Sequence, residues 1–476
     1  MPFRVSRHSI LLGIIATAFL MQGLDGTVIA TALPEMAVNF GTTPIHLSIG
    51  ITAYILALAV FIPVSGWVAD RVGARTVFSA AIAVFSLGSV LCGLANGVTE
   101  FALYRILQGI GGAMMVPVGR LVLFRAVGKA GLVQALSTLT MAAMIGPVLG
   151  PPLGGFITTY ASWRWIFFLN LPMGLVGSVM VWFFVENYRE DNHPSFDWIG
   201  FVFTGMSVAA LVLDCDVTVQ PDSNVWLSIG LLLFSLASGA FAAWYMLRRP
   251  EPVIDLTLLK IDTFRVGVVV GMLFRVAGGS IAYLIPIMLQ VNMGMTAFQS
   301  GSITVAAALA SLLMKFAIPP TLRRWGFRNV LFGNGFISAA AIGACAAIGI
   351  GTPGYVVFLI LLIGGFFRSL QFTSLTTLGY ADIPVQRTSS ATSFSSTAQQ
   401  VSNGMGVAVA AVTLHMLQLI RGEAMTTVSV EDIRLTLIIM TLVALSAVYS
   451  YAKLAPDAGA EVSRHRVTPD IAEAAD

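Results

Sequence analysis

The amino-acid sequence predicts an all-α membrane protein that crosses the bilayer many times. Hydrophobic residues make up 57% of the 476 residues and charged residues only 10%, whereas an ordinary soluble domain has roughly 25% charged residues. Apolar runs recur nearly from end to end, and a spanning helix needs about 20 such residues. The period-two alternation of a membrane β-barrel is not evident, and helices satisfy their own backbone groups in lipid.

The apolar runs predict fourteen spans. They cover residues 9–33, 46–69, 77–95, 101–124, 133–157, 165–185, 197–213, 226–247, 265–290, 298–320, 329–350, 354–378, 389–414 and 434–454. These spans leave no room for a soluble domain larger than the loops. A soluble enzyme is therefore disfavoured, and no enzymatic activity is expected.

Lysine and arginine predict the orientation, because loops rich in these residues stay in the cytoplasm. With the N-terminus inside, only Arg164, Arg421 and Arg434 fall on the outer side. Both termini are therefore expected in the cytoplasm, and the chain in a plasma membrane such as the bacterial inner membrane. The net charge of +3 reflects these loop residues, and no nucleic-acid partner is expected.

Several other kinds of site are not supported. The first apolar run is too long for the core of a signal peptide and contains Asp25. The three cysteines have no paired spacing that would indicate a disulfide framework or a metal site, and they are Cys92, Cys215 and Cys345. The five histidines lie at span ends or in loops without ligand spacing. No metal and no organic cofactor are expected.

Asp25 lies deep inside the first apolar run, and no other of the 23 acidic residues is placed so deeply. An intramembrane carboxyl group is costly to keep and is usually functional. No nucleophilic serine, metal cluster or cofactor loop lies beside it in the sequence. The economical interpretation is therefore proton or ion handling, in which Asp25 titrates during transport.

Two polar pairs are expected to meet across the first and fourth spans. Gln22 shares a helix face with Asp25, and Arg105 shares one with Gln108, because residues three apart lie on one side of a helix. An unpaired Asp or Arg in hydrocarbon is expensive, so Asp25 and Arg105 are expected to pair. Alternating exposure would then switch Asp25 between protonated and ionised states. A permanent salt bridge that only joins the helices remains the alternative.

An internal repeat predicts two bundles. Residues 66–75 follow the second span, and residues 319–328 repeat their pattern of a helix, a basic turn with glycine and a second helix. The repeat suggests two six-helix bundles with an extra helix pair between them, an arrangement common in secondary transporters. The predicted boundaries are 1–185 for the first bundle, 186–264 for the extra pair with its linkers, 265–454 for the second bundle and 455–476 for a disordered cytoplasmic tail.

Four motifs follow one another through the first five spans. They are Leu24-Asp25 with Ala32-Leu33-Pro34, Gly66 to Arg75, Arg105 to Ala113, and Gly146 to Gly155. In this order they resemble the motifs of the major facilitator superfamily, in its fourteen-helix drug:proton antiporter branch. The resemblance implies the major facilitator fold, with two pseudo-symmetric six-helix bundles plus two extra central helices, and proton-driven export of small molecules.

The loop after the second span has the composition of a latch. Gly73 permits a sharp turn, and Asp70 is placed to pair with a neighbouring arginine or to lie at a helix N-terminus. The resemblance implies that this loop closes the inner gate in the outward-open state, with Gly66, Asp70, Arg71, Gly73 and Arg75 as its residues. A loop that only sets topology, with an ordinary salt bridge, is the alternative.

The fifth span combines small residues with helix breakers. Gly146, Gly150 and Gly154 repeat every four residues and line one helix face, followed by Gly155. Pro147 and Pro151 remove backbone donors and bend the helix. A bent, smooth helix suits a sliding interface between the bundles. A lipid-facing helix that merely tolerates the prolines is the alternative.

The second bundle has an excess of buried bases. Arg275 and Arg368 lie within spans, and no acid is placed deeply among them. With neighbouring amides they predict a polar wall that accepts anions, whereas packing of the arginines against carbonyl groups is the alternative. The residues expected at the substrate cavity are Gln22, Gln108, Met115, Arg275, Arg368, Gln371, Gln400 and Asn403.

The leading functional hypothesis is a proton-coupled secondary transporter that exports drugs or metabolites by alternating access. A transporter of small organic anions such as carboxylates is the alternative, based on the basic second half. A membrane sensor or channel would need a signalling module or a repeated pore motif, and the sequence has neither. The expected partners are the lipid bilayer, protons and a small-molecule substrate, with the proton gradient as energy source and the monomer as functional unit.

Overall fold

A computed structural model describes residues 7–42, 47, 49–189, 195–219, 225–295, 297–421 and 429–465. Their regular secondary structure is helical, and no strand occurs in these ranges. The all-α prediction is confirmed. Some residues of the sequence interpretation lie outside the described part, namely His46, His193, residues 466–476 of the tail and the side chains of His8, Pro147, Pro151, Pro152, Cys215 and His415.

The helices of the first bundle and of the extra pair follow the predicted order. They are α1 (Arg7–Phe40), α2 (Ile49–Phe61), α3 (Ser65–Val72), α4 (Ala74–Leu94), α5 (Val98–Tyr160), α6 (Arg164–Phe168), α7 (Asn170–Phe184), α8 (Trp198–Val219) and α9 (Val225–Met246). A 3-10 turn at Ile62–Val64, with Pro63 near its start, joins α2 to α3. The missing donor of a proline is tolerated at such a position.

The long helix α5 contains two passes. Its candidate spans are Val98–Val127 and Gly131–Gly150. Gly112 lies against Gln22 of α1, and Gly146 lies against the adjacent residue, Gly23. In one straight helix, two residues separated like Gly112 and Gly146 would lie about 50 Å apart. The chain therefore reverses between the two spans, which we call the first and second arms of α5.

The second bundle is built from seven helices and two π-helical segments. The helices are α10 (Asp262–Arg265), α11 (Gly271–Ile287), α12 (Ala297–Cys345), α13 (Gly354–Leu378), α14 (Thr388–Arg421), α15 (Val430–Ala452) and α16 (Ala460–Ser463). The π-helical segments flank α11 at Val266–Val270 and Met288–Asn292. Helix α12 contains a turn at Gly326 and so also forms two passes.

The two glycine turns of the repeat share one backbone feature. Gly73 has φ +104° and Gly326 has φ +71°, a region that L-residues with a side chain rarely adopt. Each turn joins two antiparallel passes at the end of the bundle where α1 begins. We call this end the inner side, and the sequence predicts that it faces the cytoplasm.

All fourteen predicted spans coincide with helices. Eleven described helices are long and apolar enough to cross a membrane, and α12 supplies two passes within one of them. Helix α8 has a shorter apolar stretch, Trp198–Asp214. Helix α14 is not among the helices that are apolar enough to cross a membrane, because its first turns are rich in serine and threonine. The extra pair packs beside both bundles, since Val208 of α8 lies with Ala59 of α2 and Val401 of α14.

The packing of apolar side chains shows that the inner side is closed. One buried cluster joins Leu132 and Leu136 of α5 to Leu322 and Phe327 of α12, and so contains both bundles. The two clusters near the outer ends each contain described residues of one bundle only. The structure is therefore an inner-closed conformation with its outer halves packed separately.

The chain after α15 corrects one prediction. The sequence places residues 455–476 in a disordered tail, but residues 455–465 are ordered and include α16. Val462 and Ser463 are buried. The polar composition of the segment concealed this docking, because a few buried residues in a short stretch produce no visible periodicity.

Candidate functional site

The centre of the first bundle contains a buried carboxylate and its two partners. Asp25 Oδ2 lies 2.6 Å from Arg105 Nη1, and Gln108 Nε2 donates to Asp25 Oδ1 at 2.7 Å. Arg105 Nη1 also donates to Gln108 Oε1 at 2.6 Å. Asp25 is 3% exposed and the other two residues are fully buried. The three side chains form one closed hydrogen-bonded group.

Further contacts hold Arg105 in place. Its Nε donates to the carbonyl oxygen of Gly50 at 3.2 Å, and its guanidinium carbon lies 4.2 Å from the ring centre of Tyr54. Both contacts are with α2. Cys92 Sγ adds a weak contact with Gln108 Oε1 at 3.8 Å. The arginine is thus bound by a carboxylate, an amide, a carbonyl group and an aromatic face.

Close packing between helices positions Asp25 on α1. A Cβ atom on Gly146 would lie 2.4 Å from the carbonyl carbon of Gly23, and one on Gly150 would lie 2.2 Å from Thr27 Oγ1. The glycine face predicted on the fifth span therefore meets α1, on both sides of Asp25. This corrects the expected sliding interface between bundles, because the face packs inside the first bundle. Gly155 lies beyond this contact, with open space where its Cβ would be.

The predicted gate loop contacts the second bundle through its glycine end. A Cβ atom on Gly66 would lie 2.9 Å from Ser389 Oγ and 3.0 Å from the Ser389 carbonyl oxygen. Ser393 Oγ donates to the carbonyl oxygens of Ile62 and Pro63, at 3.1 and 2.7 Å. These contacts join α2 and α3 to the start of α14. They lie on the inner side and form part of its closure.

The charged residues of the same loop contact the first bundle. Asp70 Oδ1 lies 4.0 Å from Arg125 Nη2 of α5. The guanidinium groups of Arg71 and Arg75 lie over tryptophan rings, at 5.2 and 4.6 Å from the ring centres of Trp67 and Trp182. Asp70 therefore has a neighbouring arginine as predicted, and the loop reaches the second bundle at Gly66.

The second bundle contains a cavity of about 200 Å³ lined by Arg275, Arg368 and Asn403, with Phe372 beside them. Arg275 donates to the carbonyl oxygens of Gly267 and Val268, both at 3.3 Å. These carbonyls belong to a π-helical segment, so the arginine stabilises an irregular turn as well as lining the cavity. Arg368 makes one long contact, 3.5 Å to the Gly278 carbonyl oxygen. Within the described chain, no carboxylate forms a salt bridge with either arginine.

Three residues predicted at the substrate cavity lie elsewhere. Met115 is fully buried in the hydrophobic core of the first bundle. Gln371 accepts from Asn334 Nδ2 at 2.8 Å and faces α12, because three residues along a helix from Arg368 also rotate the side chain by about 60°. Gln108 belongs to the Asp25 group. Gln22 is half-buried beside Gly112, and Gln400 is half-buried on α14.

Two features were missed in the sequence. Arg120 of α5 donates to Ser396 Oγ at 3.5 Å and to Gln399 Oε1 at 3.2 Å, a direct polar contact between the bundles. Asp214 near the outer end of α8 is fully buried, and Ser228 Oγ donates to it at 2.5 Å. The polar residues of α14 are a signal in the sequence from which the contact with Arg120 could have been predicted. Asp214 was missed because it falls one residue beyond the predicted span, and Asp25 is thus not the only buried acid.

The described residues include no group of three or more His, Cys, Asp or Glu side chains that would hold a metal ion. The arrangement around Asp25 places one buried carboxylate against one arginine and one glutamine amide inside the first bundle. The second-bundle cavity offers two arginines that have no carboxylate partner among the described residues.

Comparison with known proteins gives the family. The sequence profile of the Major Facilitator Superfamily matches residues 15–407. The putative multidrug resistance protein MdtD of Pectobacterium atrosepticum is 36% identical over 407 residues, which cover 85% of this chain and 86% of that protein. The MdtD protein of Salmonella typhimurium is 35% identical over 414 residues, with the same coverage of 85% and 86%.

Two solved structures share the fold at 13% sequence identity. The proton:xylose symporter XylE has a TM-score of 0.67 over 97% of this chain and 99% of that chain. The human organic anion transporter MFSD10 has a TM-score of 0.67 over 93% and 99%. The family and the curated relatives identify an integral membrane transporter rather than an enzyme. The chain belongs to the Major Facilitator Superfamily.

Proposed function

We propose that the protein is a proton-coupled exporter of small molecules, of the multidrug or metabolite type, that works by alternating access. The observation that carries the proposal is the buried group of Asp25, Arg105 and Gln108 within the apolar helices of the first bundle. The inner side is assigned to the cytoplasm, where both termini then lie. The energy source is the proton gradient, and no organic cofactor is required.

The proposed cycle begins in the conformation described above, with the inner side closed. A proton from outside neutralises Asp25 as substrate leaves, and Arg105 then keeps its contacts with Gln108 and Gly50. After the change to an inward-open state, Asp25 releases the proton to the cytoplasm and binds Arg105 again. Coupling requires only that proton and substrate bind the two conformations with different affinities.

The alternating part of the proposal is supported by the distribution of contacts between bundles. On the inner side, Ser389 and Ser393 of α14 contact α2 and α3, and Arg120 reaches Gln399. The contacts of Ser393 and Arg120 are polar and are exchangeable for water contacts on opening, and they accompany the apolar cluster that joins the bundles. Such contacts suit a gate better than a permanent interface, in which charged residues are depleted at the core.

A second candidate function is transport of small organic anions. The observation in its favour is the cavity lined by Arg275 and Arg368 without a described carboxylate partner. Buried charges are normally paired, so an anionic ligand would supply the missing charge. The two candidates share the proton site and differ only in the charge of the substrate.

Purified protein in liposomes tests the proposal. An acidic lumen drives protons outward, so an antiporter concentrates its substrate inside, and ethidium and a tricarboxylate serve as probes of opposite charge. Accumulation of either probe that stops when the pH gradient is dissipated supports proton-coupled export. Transport that only equilibrates both probes at every pH gradient contradicts it.

A further inference from the structure

The ordered segment after α15 lies across the inner side of both bundles. Helix α16 within it contacts α5 of the first bundle and α12 of the second. Val462 is 2% exposed and belongs to the cluster that contains Leu132 of α5 and Phe327 of α12. We call residues 455–465 the C-terminal segment. It contributes a buried apolar side chain to the cluster that joins the two bundles.

Two glycines fix how the C-terminal segment docks. Gly459 has φ +67°, and a Cβ atom on it would lie 2.7 Å from the Phe327 ring. At the end of the segment, the His465 ring lies 2.8 Å from where a Cβ atom of Gly326 would be. His465 Nδ1 is also 3.1 Å from the carbonyl oxygen of Arg323. The segment is therefore seated on the glycine turn of α12 both at Gly459, near its middle, and at His465, its last residue.

The first bundle covers its own glycine turn in a related way. Asn187, just after α7, occupies the space beside Gly73, and the Tyr188 carbonyl oxygen accepts from the Ala74 backbone N–H at 3.0 Å. In both halves, the chain that follows the last helix of the bundle thus covers the glycine turn. The difference is that the C-terminal segment continues onto the opposite bundle.

The second turn also lacks the acidic residue of the first. In the sequence repeat the position of Asp70 is taken by Arg323, which is exposed. Among the described residues, the ion pair of Asp70 with Arg125 therefore has no counterpart at Arg323. An apolar contact made by Val462 is present there instead.

We propose that the C-terminal segment is a strap of the inner gate, which holds α5 against α12 when the inner side is closed and leaves α5 when it opens. Phe124 of α5 and Tyr380, just after α13, lie 4.5 Å apart between ring centres next to the same cluster. Opening the inner side must separate these rings. Val462 loses its contact with α5 in the same movement, so removal of the strap favours the inward-open state. The inference rests on the alternating-access part of the proposed function and not on proton coupling at Asp25.

The test measures conformation directly. Spin labels on exposed inner positions of the two bundles, Val72→Cys and Arg324→Cys, report the distance across the inner side in a background without native cysteines. A chain that ends at Leu454 lacks the strap, and a chain that ends at His465 is the matched control. We expect the first truncation to raise the ratio of long to short distances by about tenfold, the factor that corresponds to about 1.4 kcal/mol. The control should match the full chain.

A substitution in the full chain guards against misfolding of the truncated protein. Val462→Asp puts a charge into the apolar cluster and should raise the same ratio, whereas Asp457→Asn on an exposed side chain of the segment should not. Each variant is first shown to be folded by its monodispersity. The strap would be overturned if the Val462→Asp variant and the chain that ends at Leu454 both had the same distance distribution as the full chain. Because the readout does not use transport, that result leaves proton coupling at Asp25 untouched, and a failure of proton-driven accumulation in liposomes leaves the strap standing.

Discussion

Replacing Asp25 by asparagine removes the ionisable carboxyl group while keeping the size of the side chain nearly unchanged. Asp25 now accepts two hydrogen bonds, from Gln108 Nε2 at 2.7 Å and from Arg105 Nη1 at 2.6 Å. An amide has one acceptor oxygen, so one of the two donors would face an NH₂ group. Rotation of the Gln108 amide does not resolve this, because Gln108 Oε1 already accepts from Arg105.

The expected destabilisation follows from the charge left behind. Removing one partner of a buried ion pair typically costs about 3–5 kcal/mol. Arg105 would retain the Gly50 carbonyl group and the Tyr54 ring, so we expect a loss of about 3 kcal/mol, at the lower end of this range. The double variant Asp25→Asn/Arg105→Gln has no uncompensated charge and should recover most of that stability.

The assay uses liposomes with an acidic lumen. A gradient of one pH unit supplies about 1.4 kcal/mol per proton, which allows about tenfold accumulation at one proton per substrate. Both the single and the double variant should fail to accumulate substrate. Both should still exchange labelled for unlabelled substrate when no gradient is present, since exchange requires no titration.

The double variant decides between coupling and a structural salt bridge. If the pair of Asp25 and Arg105 only joins helices, its neutral replacement should restore both stability and uphill accumulation. Accumulation by the folded double variant would therefore refute the coupling role of Asp25. Recovery of thermal stability without recovery of accumulation is the expected result.

Three further predictions concern the gate, the helix packing and the cavity. Asp70→Asn should slow turnover more than it weakens substrate binding, and distance measurements across the inner side should show more inward-open protein. If the populations of the two conformations did not change, Asp70 would have no role in the gate and would serve only in a loop that sets topology. Gly146→Ala should abolish transport because its Cβ would meet Gly23 backbone atoms at 2.4 Å, whereas Gly155→Ala, in open space, should be active; equal activity would exclude this packing. Arg368→Gln should weaken binding of an anion by about 1.5–3 kcal/mol, or one to two decades, and spare a cation; equal losses in calorimetry would exclude an anion site.

Composition and the apolar runs were sufficient to predict the all-α membrane class, the repeat and the resemblance of the motifs predicted the two-bundle fold, and helix periodicity predicted the central pair. A carboxylate and an arginine within apolar runs must find each other or water, and the pair of Asp25 with Arg105 follows from that requirement. The close contact of Gly146 with α1 was not predicted. Glycine spacing shows that a helix has a smooth face, but it does not show which neighbour covers the face.

The cavity residues show why side-chain direction limits such predictions. Arg368 and Gln371 were grouped because they lie nearly one turn apart, yet Arg368 lines the cavity and Gln371 bonds Asn334 inside the bundle. A difference of about 60° around a helix decides between the two surroundings. The docking of Val462 was invisible for a different reason, because the surface that covers it is formed by distant parts of the chain.

The position of Asp25 on α1 connects its charge to helix packing. On one side it binds Arg105 of the first arm of α5, and on the other side α1 packs through Gly23 against Gly146 of the second arm. In the proposed cycle, a proton on Asp25 weakens the first contact and leaves the second intact, so the balance of forces on α1 changes. If the proton on Asp25 shifts the equilibrium between two conformations, then by linkage the change of conformation shifts the proton affinity of Asp25 by the same free energy. In the proposed mechanism the buried pair therefore has two compatible roles. It stabilises the first bundle, and it makes the proton affinity of Asp25 depend on the conformation of that bundle.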